Sequence, residues 1–294
     1  MARKAYTSCT IKQLPDKDKH AAALHAISCN PVNRVPVEKL AAIGFEPELQ
    51  HIAVMTTKFW GAGGVHLTVG FLSNASAALQ EKILAHMNAW GKYCNASFTI
   101  TGGAAANAGV RISLAGQGYW SYLGTDVGRI QRGQPTMNLQ GFSLSTPDSE
   151  FYRVVRHETG HTLGCPHEHM RKELVDRLDR AKTIAYFQRT QGWSPQEIEQ
   201  QVLTPLSESS LMGATPHAED DSIMCYALPA SITTDGRPIP GGKDITADDG
   251  LYLGKIYPLE ILPPLPPPPP PGDSLTVNVS VAGYKAGSLQ LQKV

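Results

Sequence analysis

A chain of 294 residues with 41% hydrophobic content can bury a sizeable core, and its apolar runs, such as Val65 to Leu72, are too short to cross a bilayer. Lysine plus arginine and aspartate plus glutamate both total 26, so the formal net charge is zero and nothing favours a nucleic acid or an anionic membrane as partner. The cysteines, Cys9, Cys29, Cys94, Cys165 and Cys225, are too few and scattered for a disulfide framework, and their odd number leaves at least one thiol unpaired within a monomer.

The first residues lack the uninterrupted apolar stretch of a secretory signal. That is expected of a cytoplasmic protein, of one secreted by another route, or of one whose signal has been removed. Residues 1–57 hold two helix-compatible stretches, Lys19 to Ile27 and Val37 to Ile43, divided by a turn-rich segment at 29–33, and are expected to form an N-terminal extension or pro-segment. The β-branched run Val65 to Phe71 predicts a buried strand, after which Leu79, Ile83, Met87 and Trp90 recur at helical spacing up to Tyr93. Phe98 to Thr101, Val110 to Leu114 and Tyr119 to Leu123 predict further short strands.

Thr146 and Pro147 read as the N-cap and first position of a helix running to about Leu163. Beyond it, Leu174, Leu178, Ala181 and Ala185 mark one amphipathic helix, Ser194-Pro195-Gln196-Glu197 a capping box, and Thr246 with Asp249 the start of a last short helix. The proline run Pro266 to Pro271 predicts an extended, semi-rigid linker over 263–272. After it, Leu275, Val277, Val279 and Val281 alternate, with Leu289 and Leu291 placed to pair back, so 273–294 reads as a short β-type tail. Whether that tail begins a longer module, docks elsewhere or is unstructured stays open at this point.

The chemistry is concentrated in residues 157–167, H-E-T-G-H-T-L-G-C-P-H. Positions four apart lie on one helical face, so His157 and His161 direct their imidazoles at one ion while Glu158 stands beside them without ligating. Gly164 reverses the chain in the left-handed conformation and Pro166 stops the helix, which brings His167 back as a third ligand. Three histidines leave one tetrahedral position open, the mark of a catalytic rather than a structural zinc site. Cys165 is too close in sequence to His167 to be a favoured fourth ligand.

These residues resemble the metzincin zinc metallopeptidases, and within that clan the chain is most similar to the astacin family. Glu168 and Arg171 after the third histidine resemble the astacin continuation, Ser222-Ile223-Met224-Cys225-Tyr226 looks like its Met-turn, and Tyr119-Trp120-Ser121-Tyr122-Leu123-Gly124 is similar to the strand at the upper rim of its cleft. The resemblance implies an α+β metzincin-type catalytic domain over 58–262, with a twisted mixed sheet and two long helices in its N-terminal half. A mainly helical and irregular C-terminal half follows, with the active-site cleft between the halves. It also implies Met224 beneath one catalytic zinc ion and Tyr226 near the reacting oxygen.

Departures from the family pattern carry their own expectations. Tyr119 and Phe142 stand where the family has a disulfide, Cys225 replaces a histidine, and Cys165 replaces a hydrophobic residue. Cys165 and Cys225 belong to segments that converge on the metal, so their sulfurs are expected near each other, with a bond between them left open. Glu168 either reaches a mature N-terminus, as in the family, or pairs with Arg171.

The resulting expectation is a zinc-dependent endopeptidase in which Glu158 is the general base for a metal-activated water and the partner is a peptide or protein substrate. Alternatives are a latent proenzyme blocked by its N-terminal segment, with Cys29 or Cys9 as a thiolate ligand, and an inactive peptide-binding zinc protein. In a third alternative the tail carries the function and the zinc domain is its carrier. Oligomeric state is not readable from the sequence.

Overall fold

The computed structural model describes residues 9–34, 57–206 and 217–259, and the backbone of 274–279 and 287–292. The chain divides into two compact units, Met1–Glu260 and Ile261–Val294. The first is built on a six-stranded sheet of strand order β1-β5-β6-β4-β2-β3. Its strands are β1 (Cys9–Lys12), β2 (Val65–Phe71), β3 (Ala96–Ile100), β4 (Val110–Ser113), β5 (Tyr119–Tyr122) and β6 (Met137–Leu139). Only β5 and β6 are antiparallel; the other neighbours run parallel, so the sheet is mixed.

Strands β2, β3, β4 and β5 form within a residue or two of expectation, because each is a β-branched or aromatic run closed by glycine-rich turns. Two strands were not anticipated. Met137-Asn138-Leu139 is too short to show alternation and is buried throughout. Cys9 to Lys12 lies inside the presumed extension, so the first strand comes far earlier than Val65.

Helix α1 (Asp16–Cys29) follows β1 and buries Ala22, Ala23 and Ala26. Asn33 then ties this segment to the body: its Nδ2 donates to Phe59 O at 2.7 Å and its Oδ1 accepts from Phe59 N at 2.9 Å. The Val37–Ile43 stretch lies outside the described residues, as do the proline run and Val281.

Helix α2 (Ala77–Met87) is capped by Ser76, whose Oγ accepts from Leu79 N, and buries Leu79, Ile83 and Met87. It stops before Tyr93 and passes into a 3₁₀ turn, Asn88–Lys92. The reason is Asn88, whose side chain pairs with both main-chain groups of Phe98 and draws the chain toward β3. Trp90 is thereby buried in the hydrophobic core that also holds Phe98, Phe151 and Tyr257.

The helix expected from Thr146 begins instead at Asp148, because Pro147 has an extended ψ of 144° and takes the cap position with no side-chain cap bond. The Thr146 hydroxyl accepts from Ser143 N in the preceding turn. After Glu150 the chain makes a π turn, Phe151–Val155, before α3 (Arg156–Leu163). Such single π turns within helices are frequent at functional sites.

The single helix expected through Leu174 and Ala185 is broken. Leu178 leaves helix geometry to bridge Thr233, and Asp179 accepts from Lys182 N to start a new helix. The result is α4 (Lys172–Val175) and α5 (Arg180–Gln191), and α5 buries Thr183 and Phe187 while Ala181 and Ala185 face solvent. The capping boxes at Ser194 and Thr246 both form, opening α6 (Pro195–Ile198) and α7 (Ala247–Ile256). In the second unit β7 (Ser274–Val279) runs antiparallel to β8 (Gly287–Gln292), with Leu275 opposite Leu291 and Val277 opposite Leu289.

Candidate metal centre and active site

Helix α3 is held at both ends by aromatic donors. Trp90 Nε1 donates to Arg156 O at 2.9 Å, while Trp60 Nε1 donates to Thr162 O at 2.8 Å and the Tyr257 hydroxyl to Leu163 O at 2.6 Å. The last two satisfy carbonyls that a helix end leaves without intrahelical partners. Gly164 then turns left-handed, φ 104°, with Gly164 N bonded to His161 O and Cys165 N to Gly160 O. That pair of bonds is a Schellman motif, and any larger residue at 164 would be strained and would press on the Phe59 ring.

The reversal brings His167 against the helix. Ligand-capable atoms of His157, His161 and His167, all buried, lie within 4.8 Å of one another. Nδ1 of His157 donates to Ile223 O at 2.6 Å and Nδ1 of His161 to Cys165 O at 2.7 Å. Each bond puts the ring proton on Nδ1 and leaves the Nε2 lone pair free, as a metal ligand requires. Nε2 of His157 accordingly has no hydrogen-bond partner among the described residues, and Nε2 of His161 and His167 face each other at 3.0 Å. Three neutral imidazoles converging on one point fit zinc in donor type and number.

Burial pushes the His157 pKa down to about 4 and those of His161 and His167 well below the ordinary histidine range. His169, also buried, is pushed down to about 3. In an unfolded chain these rings titrate near ~6.5. Below that pH the unfolded state takes up protons that the folded state refuses, so stability is full above ~6.5 and is lost as pH falls toward the folded values. Each such ring steepens the loss by up to about 1.4 kcal/mol per pH unit. The melting temperature of the metal-free protein is therefore expected to fall steadily from about pH 6.5 to about pH 4. A flat profile in a calorimetric pH series would contradict this.

Glu158 is fully buried beside the histidines, and neither carboxylate oxygen has a hydrogen-bond partner among the described residues. Burial pushes its pKa up to about 8, against the lowering effects of the Cys9 thiol and Arg153. Met224 packs behind the ligand helix: a Cβ at Gly160 would run into its sulfur. The turn around it is pinned by Asp249, whose carboxylate accepts from Ser222 Oγ and from Ile223 N, and is joined to the third histidine by Glu168 N donating to Met224 O at 3.0 Å. The Tyr226 ring lies 4.5 Å from the His167 ring, centroid to centroid, and its buried hydroxyl has no hydrogen-bond partner among the described residues.

Glu168 pairs with Arg171 at 3.2 Å and also accepts from Glu219 N, and Arg171 is buried. Cys165 and Cys225 are both buried free thiols, so the bond left open between them is not formed; Cys165 serves the site through its carbonyl. Tyr119 and Phe142 meet edge to face with ring centroids 5.7 Å apart. An aromatic contact thus joins the positions where the resemblance places a disulfide.

The rim differs from expectation in detail. Strand β5 ends at Tyr122, and Leu123 leads into a 3₁₀ turn. Ser121 is buried and bonds Thr162 on the ligand helix, so it braces the rim and does not face a substrate. Along β5, parallel and in register, runs β1: Cys9 opposite Tyr119, Thr10 opposite Trp120, Ile11 opposite Ser121 and Lys12 opposite Tyr122. The Cys9 sulfur lies with atoms of His157 and Glu158 inside 4.8 Å. Cys29 instead sits on α1, its sulfur 3.5 Å from His25 Nε2.

Sequence reasoning missed three contributors. His169 stacks on Tyr226 at 3.9 Å and 23°, Gln201 reaches the main chain of Ile11, and Asp249 pins the turn. His169 stands two residues past the third histidine and could have been found there; Gln201 carries no sequence signal.

The model of the astacin family of peptidases matches residues 54–229. Among solved structures, one of myroilysin aligns with a TM-score of 0.63 and 28% identity over 69% of this chain and 97% of that chain. A crystal structure of myroilysin aligns at 0.52 and 28% over 68% and 86%. High choriolytic enzyme 1, a hatching enzyme zinc-protease from Oryzias latipes (Medaka fish), aligns at 0.46 and 20% over 68% and 94%. A search of curated proteins finds no match.

Proposed function

The chain belongs to the astacin family and is a zinc metalloendopeptidase, and from that premise we propose that His157, His161 and His167 hold one catalytic zinc ion, that Glu158 is the general base and that Tyr226 stabilises the developing oxyanion. The observation that carries this is a convergence of unanswered polar atoms. Nε2 of His157, both oxygens of Glu158 and the Tyr226 hydroxyl are buried with no hydrogen-bond partner among the described residues, a costly arrangement unless a metal ion and a polar substrate complete it.

Zinc held there supplies the Lewis acidity that makes water a nucleophile near neutral pH. Glu158, whose proton affinity burial raises, takes the proton of the attacking water and returns it to the leaving amine. Burial keeps the Tyr226 hydroxyl protonated, so it donates to the carbonyl oxygen as charge develops. The edge of β5 aligns an extended peptide by main-chain bonds. No described helix is long and apolar enough to cross a membrane.

Incubation with a denatured protein, with and without a zinc chelator, tests the reading when the cut sites are sequenced. Chelator-sensitive cleavage at internal peptide bonds is expected; cleavage indifferent to the chelator would contradict it.

A second reading, of latency, is favoured by the position of Cys9. In it residues 1–57 are a pro-segment, 58–262 the catalytic domain, 263–272 a spacer and 273–294 a short β-type tail. The Cys9 thiol faces the metal site while β1 fills the edge a substrate needs. A tethered blocker competes at an effective concentration of order mM, so Cys9→Ala, or proteolytic removal of the segment, is expected to raise turnover about tenfold or more. Unchanged turnover after both would count against latency.

A further inference from the structure

Strand β1 is gripped on two sides. Main-chain groups of successive strand residues point alternately to the two flanks. β5 holds one flank of β1, and on the other Gln201, in the π turn Glu199–Leu203 after α6, meets Ile11. Gln201 Nε2 donates to Ile11 O at 3.2 Å, and Ile11 N donates to Gln201 Oε1 at 3.3 Å. A carboxamide offers a donor and an acceptor side by side, as a neighbouring strand would.

Gln201 is only 8% exposed, so its amide needs partners whenever the cleft is filled. Its main chain is fixed as well. His169 Nε2 donates to Gln201 O at 2.9 Å, and the His169 ring stacks on Tyr226. The carboxamide therefore stands in a set relation to Tyr226.

We infer that Gln201 is a main-chain receptor of the cleft, which with β5 on the opposite side holds an extended peptide of any sequence by both flanks of its backbone. This rests on the peptidase reading of the site. In the full chain β1 occupies the place. Ile11 lies two residues from Cys9, roughly 7 Å along an extended strand, so the gripped residue is about two positions from the one facing His157 and Glu158. Turning the carboxamide over exchanges its donor and acceptor, so the grip takes a peptide running in either direction along β5.

The test uses the full zinc-loaded chain carrying Cys9→Ala, in which added peptide competes with β1. Peptides are lengthened one residue at a time on each side of the scissile bond, and kcat/KM is measured for each. One added residue is expected to raise kcat/KM by about tenfold, the value of two ordinary hydrogen bonds, and Gln201→Ala should abolish that step. Looser binding of β1 in the variant raises all lengths alike and cancels in the ratio. Gln201→Glu, which keeps the volume and the acceptor but loses the donor, should retain only part of the step, and it serves if the alanine variant does not fold. An equal step in parent and variants, or no step in the parent, overturns the inference. A parent that cuts no peptide of any length refutes the peptidase reading and this inference with it.

Discussion

Glu158→Ala is expected to keep its zinc and to lose roughly 10²- to 10⁴-fold in turnover, the range for removal of a positioned general base. The Nδ1 bonds that orient His157 and His161 run to main-chain carbonyls and do not involve Glu158, so metal content should stay at the wild-type level. Stability should not fall either. A buried carboxylate without hydrogen bonds is a cost to the fold, and its removal relieves that cost. Metal analysis beside a peptidase assay decides the matter, and retention of a tenth of wild-type turnover with full zinc would remove Glu158 from the role of base.

Tyr226→Phe should lower kcat roughly 10- to 1000-fold while KM moves little, because a bond made mainly in the transition state appears in kcat and kcat/KM together. The ring remains stacked on His169 and near His167, so fold and zinc content are expected to hold. The lost hydroxyl has no partner among the described residues, so its removal should not lower the melting temperature. A packing tyrosine would behave differently, leaving kcat intact. Measuring kcat, KM, zinc and melting temperature on this one variant separates the cases.

What could be read from sequence follows the range of the interactions involved. The three histidines and Glu158 stand within 11 contiguous residues, and the helix face, the Gly164 reversal and the Pro166 stop are all local consequences of residue type. The capping boxes at Ser194 and Thr246 are local too, and both form. Long-range partners decide the rest. Cys9 to Lys12 is too short for its alternation to stand out, and it becomes a strand only because β5 offers a free edge more than a hundred residues away. Gln201 meets Ile11 across 190 residues, and nothing in its own neighbourhood marks it. The helix through Leu174 breaks because Leu178 bridges Thr233, a contact that helical periodicity cannot register. Asn88 ends α2 early for the same reason, by bonding Phe98 on the next strand.

Stepwise return of zinc to the metal-free protein, with peptidase activity read at each addition, tests most directly whether His157, His161 and His167 hold one catalytic ion. Activity should rise linearly and saturate at one equivalent of zinc per chain, and His161→Ala should show no such rise at any stoichiometric addition. Full activity in the metal-free protein, or saturation at an equivalence point other than one, would contradict a single catalytic zinc held by these three histidines.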